Sequence, residues 1–145
     1  MNILLGFRNT FNELLKDSEK SITELSKELN TSPYVISRWK NRNVDIKMRS
    51  LIRLSDYFNC SLEYLCGKTS TYLDYNPKTC PKFSKQVVKV LKDCKSSSYS
   101  LFKDTKIKPA QYHNWKKGTE PLLTSLETIA EYLDITLDYL VGRES

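Results

Sequence analysis

The feature that most limits what this chain can become is that it states one pattern twice. Laying Trp39 on Trp115 sets an offset of 76 residues. At that offset Phe7 meets Phe83, Leu15-Lys16-Asp17 meets Leu91-Lys92-Asp93, Leu25 meets Leu101, Pro33 meets Pro109 and Lys40 meets Lys116. Further on, one loop residue is lost and the offset falls to 75. Ser50-Leu51 then meets Ser125-Leu126, Tyr57 meets Tyr132, and Leu62-Glu63-Tyr64-Leu65-Cys66-Gly67 meets Leu137-Asp138-Tyr139-Leu140-Val141-Gly142. A register held this long with one slip marks two copies of one unit. The expected division is a first domain over 1–68, a linker over 69–81 and a second domain over 82–145. Pro77 and Pro81 among polar turn formers make that linker extended rather than floppy.

Each copy reads as a run of helices. Only 4 glycines and 5 prolines in 145 residues argue against a turn-rich β fold. Phe7, Phe11, Leu14 and Leu15 recur at helical spacing over Ile3 to Lys16. Ser21-Ile22-Thr23-Glu24 is a capping box that opens a second helix, with Ile22, Leu25 and Leu29 inward. Asn30 tolerates the left-handed conformation that ends it. A third helix runs from Pro33 to about Asn41, and a loop covers Arg42 to Asp45. A fourth spans Ile46 to Phe58, with Met48, Leu51, Leu54 and Phe58 inward. Ser61 caps a last short helix, Leu62 to Cys66, which Gly67 terminates. In the second copy Val87, Val90 and Leu91 face inward on the first helix. Ser98 to Thr105 and Pro109 to Trp115 are the next two helices. Leu126, Ile129, Ala130 and Leu133 line the fourth, and Leu137, Leu140 and Val141 close the last.

The third helix carries the chemistry. Ser32 is a good N-cap, and Pro33 suits the first helical position. Ile36 and Trp39 fall on one face, leaving Tyr34, Ser37, Arg38 and Asn41 on the others. An apolar back with a hydrogen-bonding front suits a major groove. From Arg38 to Arg53 there are six cations and one acid, Asp45, which holds most of the chain's net charge of +6. Such a run beside a reading helix suits phosphates.

Two short helices joined by a three- or four-residue turn form a helix-turn-helix. Here that unit is followed by Ser61-Leu62-Glu63-Tyr64-Leu65-Cys66-Gly67. Ile36-Ser37-Arg38-Trp39-Lys40-Asn41 and, in the second copy, Asn114-Trp115-Lys116-Lys117-Gly118 with Pro121 complete the pattern. On these residues the chain resembles two tandem copies of the Xre/Cro/phage-repressor helix-turn-helix family. The resemblance implies an all-α fold of two tandem five-helix lambda-repressor-like domains.

It also implies which residues meet double-stranded DNA. The base-facing positions of the first copy are Ser32, Pro33, Tyr34, Val35 and Arg38; those of the second are Lys108, Pro109, Ala110, Gln111 and Asn114. Arg38 can bind guanine O6 and N7 together, while Gln111 and Asn114 suit adenine. The plainer reading of Arg38 is an exposed charge paired with Glu24 or Glu28. Phosphate contacts fall on Ser21, Thr23, Lys40, Asn41, Arg42 and Asn43, and on Lys116 and Lys117. The copies depart from the family in different places. Arg42-Asn43 stands where a glycine is usual, so Asn43 is expected to take the positive φ. Phe102 stands where a small residue is usual and should force the second and third helices of its copy apart. Ser100 replaces the capping-box glutamate.

No cofactor, metal or small-molecule ligand is suggested. Cys60, Cys66, Cys80 and Cys94 lack metal-site spacing, and His113 is the one histidine. Cys60 and Cys66 align with Ile135 and Val141 and read as core residues. Tyr112, aligned with Ile36, reads as core, and His113 as surface. Nothing convenes for catalysis, and no stretch reads as a membrane span or a signal peptide, so a cytoplasmic location follows. The function expected is a sequence-specific, double-stranded DNA-binding transcriptional regulator of bacterial or phage repressor type. Two fused copies would imitate the usual dimer, with reading helices about 34 Å apart. A homodimer in which the first copy alone reads is the other arrangement. The competing function is a protein-interaction module, an antirepressor or regulator partner, on the same scaffold.

Overall fold

Short polar side chains set just ahead of apolar runs decide where most of the helices begin. The structure, a computed structural model, describes residues 2–72 and 80–144. The first half holds α1 (Ile3–Ser18), α2 (Ile22–Leu29), α3 (Pro33–Asn41), α4 (Met48–Phe58) and α5 (Leu62–Leu65). The second repeats the plan with α6 (Phe83–Asp93), α7 (Ser98–Asp104), α8 (Pro109–Lys116), α9 (Leu123–Leu133) and α10 (Leu137–Val141). The fold is all-α, in two compact units that divide between residues 77 and 78. Residues 73–79 of the expected linker, Pro77 among them, lie outside the described residues.

Asn2, Ser21, Ser32, Ser61, Ser97 and Thr136 each accept a hydrogen bond from a backbone N–H two or three residues on. Donors that the first turn leaves without a helical partner are thereby satisfied. The box at Ser21 is complete: the Glu24 amide donates to Ser21 Oγ at 3.1 Å, and the Ser21 amide donates to the Glu24 carboxylate at 3.2 Å. Five helix limits depart from the sequence expectation, among them the ends of α7, at Asp104 rather than Thr105, and of α8, at Lys116 rather than Trp115. α1 runs on to Ser18 and turns at Glu19, with φ 57°. α4 starts at Met48, not Ile46, because Lys47 is extended and serves as its N-cap. Ile46 is buried from the preceding loop, 2% exposed, so its apolar character reports burial rather than helix. α5 stops at Leu65, with Cys66 as its cap.

The two cores are built differently at matched positions. In the first, Phe7 stacks on Phe11 at 5.8 Å between ring centres, and Phe11 meets Trp39 and Phe58 edge-on. In the second, Val87 replaces Phe11 and the aromatic contact shrinks to Phe83 against Trp115 at 5.7 Å. Cys60 and Cys66 lie in the first core. Leu14, Ile22, Phe58 and Leu133 are only half-buried. Tyr72, from the expected linker, packs on the first unit instead, donating to the Phe58 carbonyl at 2.8 Å with its ring edge-on to Tyr64.

One latch recurs in both units. The Tyr57 hydroxyl on α4 donates to the Glu28 carboxylate on α2, which Lys20 also binds. The Tyr132 hydroxyl on α9 donates to Asp104 on α7 at 2.7 Å.

Candidate nucleic-acid interface

α3 owes its position to its buried back. Ile36 is fully buried and Trp39 is 5% exposed, so Tyr34, Ser37, Arg38 and Asn41 are turned toward the other faces. Ser32 Oγ accepts from the Tyr34 amide at 3.2 Å. That bond uses a lone pair and leaves the hydroxyl proton available for an outside acceptor. Ser21, capping α2, stands in the same state. Tyr34 is 67% exposed. The Arg38 guanidinium lies over its ring, 5.8 Å from the centroid. The pairing with Glu24 or Glu28 allowed by the sequence is not made: Glu24 caps α2, and Glu28 holds Lys20 and Tyr57. Arg38 is therefore exposed and steered by an aromatic face, which leaves its fork open. Val35, half-buried, joins Arg38, Trp39, Asp45, Lys47 and Ser50 around a cleft of about 300 Å³. All six cations from Arg38 to Arg53 are exposed.

The end of α3 overturns one expectation. Asn43 does not take a positive φ. The helix ends on Arg42 in extended backbone, φ −136° and ψ 153°. No left-handed residue is needed, because a carbonyl of the last turn, that of Lys40, is capped from α1. Asn12 Nδ2 donates to the Lys40 carbonyl at 3.0 Å, and Arg8 Nε donates to it at 3.3 Å. Arg8 Nη1 also donates to Asn43 Oδ1 at 3.2 Å. Sequence reasoning missed Arg8 and Asn12. Their partners lie 28 to 35 residues away, and nothing local signals them. Asn41 donates from Nδ2 to Ser37 Oγ at 3.2 Å.

The second unit solves the same problem with backbone alone. Gly118, at φ 112°, lets its own amide reach the Trp115 carbonyl at 3.0 Å and the Thr119 amide reach the Asn114 carbonyl at 3.0 Å. This is a Schellman ending. Positions 8 and 12 are matched there by Ser84 and Val88, which could not build the clamp. α8 presents Lys108, Gln111 and Asn114, all exposed. Gln111 Oε1 accepts from the Lys108 amide at 2.9 Å, which uses one of its two lone pairs. Phe102 meets Tyr112 edge-on at 5.6 Å, and Lys116 lies over the Tyr112 ring. Tyr112 is thus half-buried in a surface aromatic pair rather than in the core, and burial raises its hydroxyl pKa. α2, on which Ser26 is buried, packs closely on α3, while α7 and α8, with Phe102 at the position matching Ser26, approach much less. α8 keeps its packing on α6, as α3 does on α1.

The remaining nominated side chains, Thr23, Lys40, Arg42, Lys116 and Lys117, are exposed. Among the described residues no group of three His, Cys, Asp or Glu side chains could hold a metal ion, and no helix is long and apolar enough to cross a membrane. The family model of the Cro/C1-type helix-turn-helix DNA-binding domain matches the chain twice, over residues 10–67 and over residues 88–144. No curated protein and no solved structure matches it.

Proposed function

Since the chain belongs, twice over, to the family of Cro/C1-type helix-turn-helix DNA-binding domains, we propose that it is a sequence-specific transcriptional regulator, a repressor of bacterial or phage type acting in the cytoplasm. The first domain reads base edges with Ser32, Tyr34, Val35 and Arg38. It grips phosphates with Ser21, Thr23, Lys40, Asn41, Arg42 and Asn43. The second domain reads with Lys108, Gln111 and Asn114 and grips with Lys116 and Lys117. The carrying observation is Arg38, which is exposed on a helix with a buried back and rests on Tyr34 rather than on an acid. A guanidinium so placed can form the bidentate contact with guanine, worth about 1–3 kcal/mol of discrimination.

The copies supply unlike chemistry at matched positions, Arg38 against Asn114 and Tyr34 against Ala110. The two half-sites should therefore differ. A homodimer using the first domain alone would select a palindrome instead. A second reading, a protein-interaction module, draws on α7 and α8, which Phe102 and Tyr112 hold in a geometry unlike that of α2 and α3. No catalytic role is assigned.

A salt titration of binding to duplex DNA tests the reading. Repeated phosphate contacts predict a steep linear fall of log affinity with log salt, by about 0.9 per contact. Absence of duplex binding at low salt overturns the DNA reading and leaves the protein-interaction module.

A further inference from the structure

We infer that Arg8, on α1, is a phosphate-binding residue of the first domain's DNA contact, with no counterpart in the second domain. The inference rests on the DNA-binding reading above, and on placing the loop 40–43 against the phosphate backbone.

Arg8 is half-buried, and both its partners are neutral: the Lys40 carbonyl at 3.3 Å and the Asn43 amide oxygen at 3.2 Å. A guanidinium has five N–H donors, and only two are engaged here. Among the described residues no carboxylate lies within ion-pair distance of it. The donors left over can form charge-assisted hydrogen bonds with an arriving oxyanion. Its role as a clamp does not call for charge. Asn12 already donates to the same carbonyl, at the shorter distance of 3.0 Å.

Two bonds also fix where the side chain sits, so little rotamer freedom remains to be lost when a ligand binds. The bond to Asn43 Oδ1 turns the Asn43 Nδ2 donor away from Arg8, and Asn43 is exposed. Lys40 and Arg42, both exposed, flank the pair. Three cations and an amide donor thus lie on or against one short loop. In the second domain the matched position is Ser84, and Gly118 ends the helix without help from α6.

Binding of a mixed-sequence duplex of about 30 base pairs, followed by fluorescence anisotropy across about 0.05–0.3 M salt, reads the number of phosphates engaged. Arg8→Gln should lower the slope of log affinity against log salt by about 0.9 and weaken binding about eightfold near 0.1 M salt. Arg8→Lys, which keeps the charge, should keep the wild-type slope. Asn12→Ala breaks the shorter clamp bond without touching charge, so it should lower the melting temperature and leave the slope unchanged. A wild-type slope in Arg8→Gln would make Arg8 a clamp only and overturn the inference, leaving the DNA reading in place. An Arg8→Lys slope as low as that of Arg8→Gln would overturn it as well. Wild-type protein with no salt-dependent duplex binding would overturn both.

Discussion

Arg38 shows how much one side chain owes to its neighbours. Its helix is capped by Ser32 and anchored by Ile36 and Trp39, and its guanidinium is steered by Tyr34 at 5.8 Å. Arg38→Ala should relax discrimination at one base pair by about 1–3 kcal/mol while leaving the other positions of the site unchanged. Competition binding with single-base variants of the site measures this; a uniform loss at every position would show that Arg38 only contacts phosphate. The positions of Ser32, Ile36, Trp39 and Arg38 were legible in the sequence, because capping and helical spacing are local. The clamp of Arg8 and Asn12 on Lys40 was not. It joins residues 28 and 32 apart, and the missing glycine near Arg42 pointed instead to a left-handed Asn43.

Elements end and fasten in ways the repeat only partly fixes. α3 and α8 are matched helices, yet one stops through side chains of α1 and the other through Gly118. Gly118→Ala should destabilise the second domain by about 1–2 kcal/mol through backbone strain alone. The φ of 112° is unfavourable for any Cβ, and no atom lies within 4 Å of the place the new methyl would occupy. Chemical denaturation reads this, and an unchanged midpoint would mean that the loop relaxes to another conformation.

The latch between α2 and α4 predicts a pH dependence. Hydrogen bonds from Lys20, first, and from Tyr57 lower the pKa of Glu28. A lowered carboxylate pKa contributes stability above the unfolded value, and that contribution is lost as pH falls through the folded value. Lys20 is raised by its bond to Glu28, so its share persists until pH climbs past the ordinary lysine range. Melting temperatures of wild type and Glu28→Gln, measured from about pH 7 down to about pH 3, should converge toward acid. A constant gap would place the effect elsewhere. Phe102 stands where the family usually has a small residue, which is why the looser approach of α7 and α8 could be anticipated. That Tyr112 would leave the core to pair with Phe102 could not, since alignment with Ile36 carries no information about a neighbour that has changed size.

At the scale of the whole chain, the repeat gives two domains of the Cro/C1-type helix-turn-helix family, and their differences give the pair its character. The aromatic core, the carbonyl clamp and the Arg38–Tyr34 pair belong to the first domain. The Schellman ending, the Phe102–Tyr112 pair and the Gln111–Lys108 bond belong to the second. The two reading helices should thus select unlike sequences, held to one order because they share a chain. Selection from a random duplex library, sequenced after several rounds, tests this most directly. The prediction is a bipartite, asymmetric site in which Arg38→Ala degrades one half and Asn114→Ala the other. A palindromic site indifferent to Asn114→Ala, or no enrichment over non-specific DNA, would contradict it.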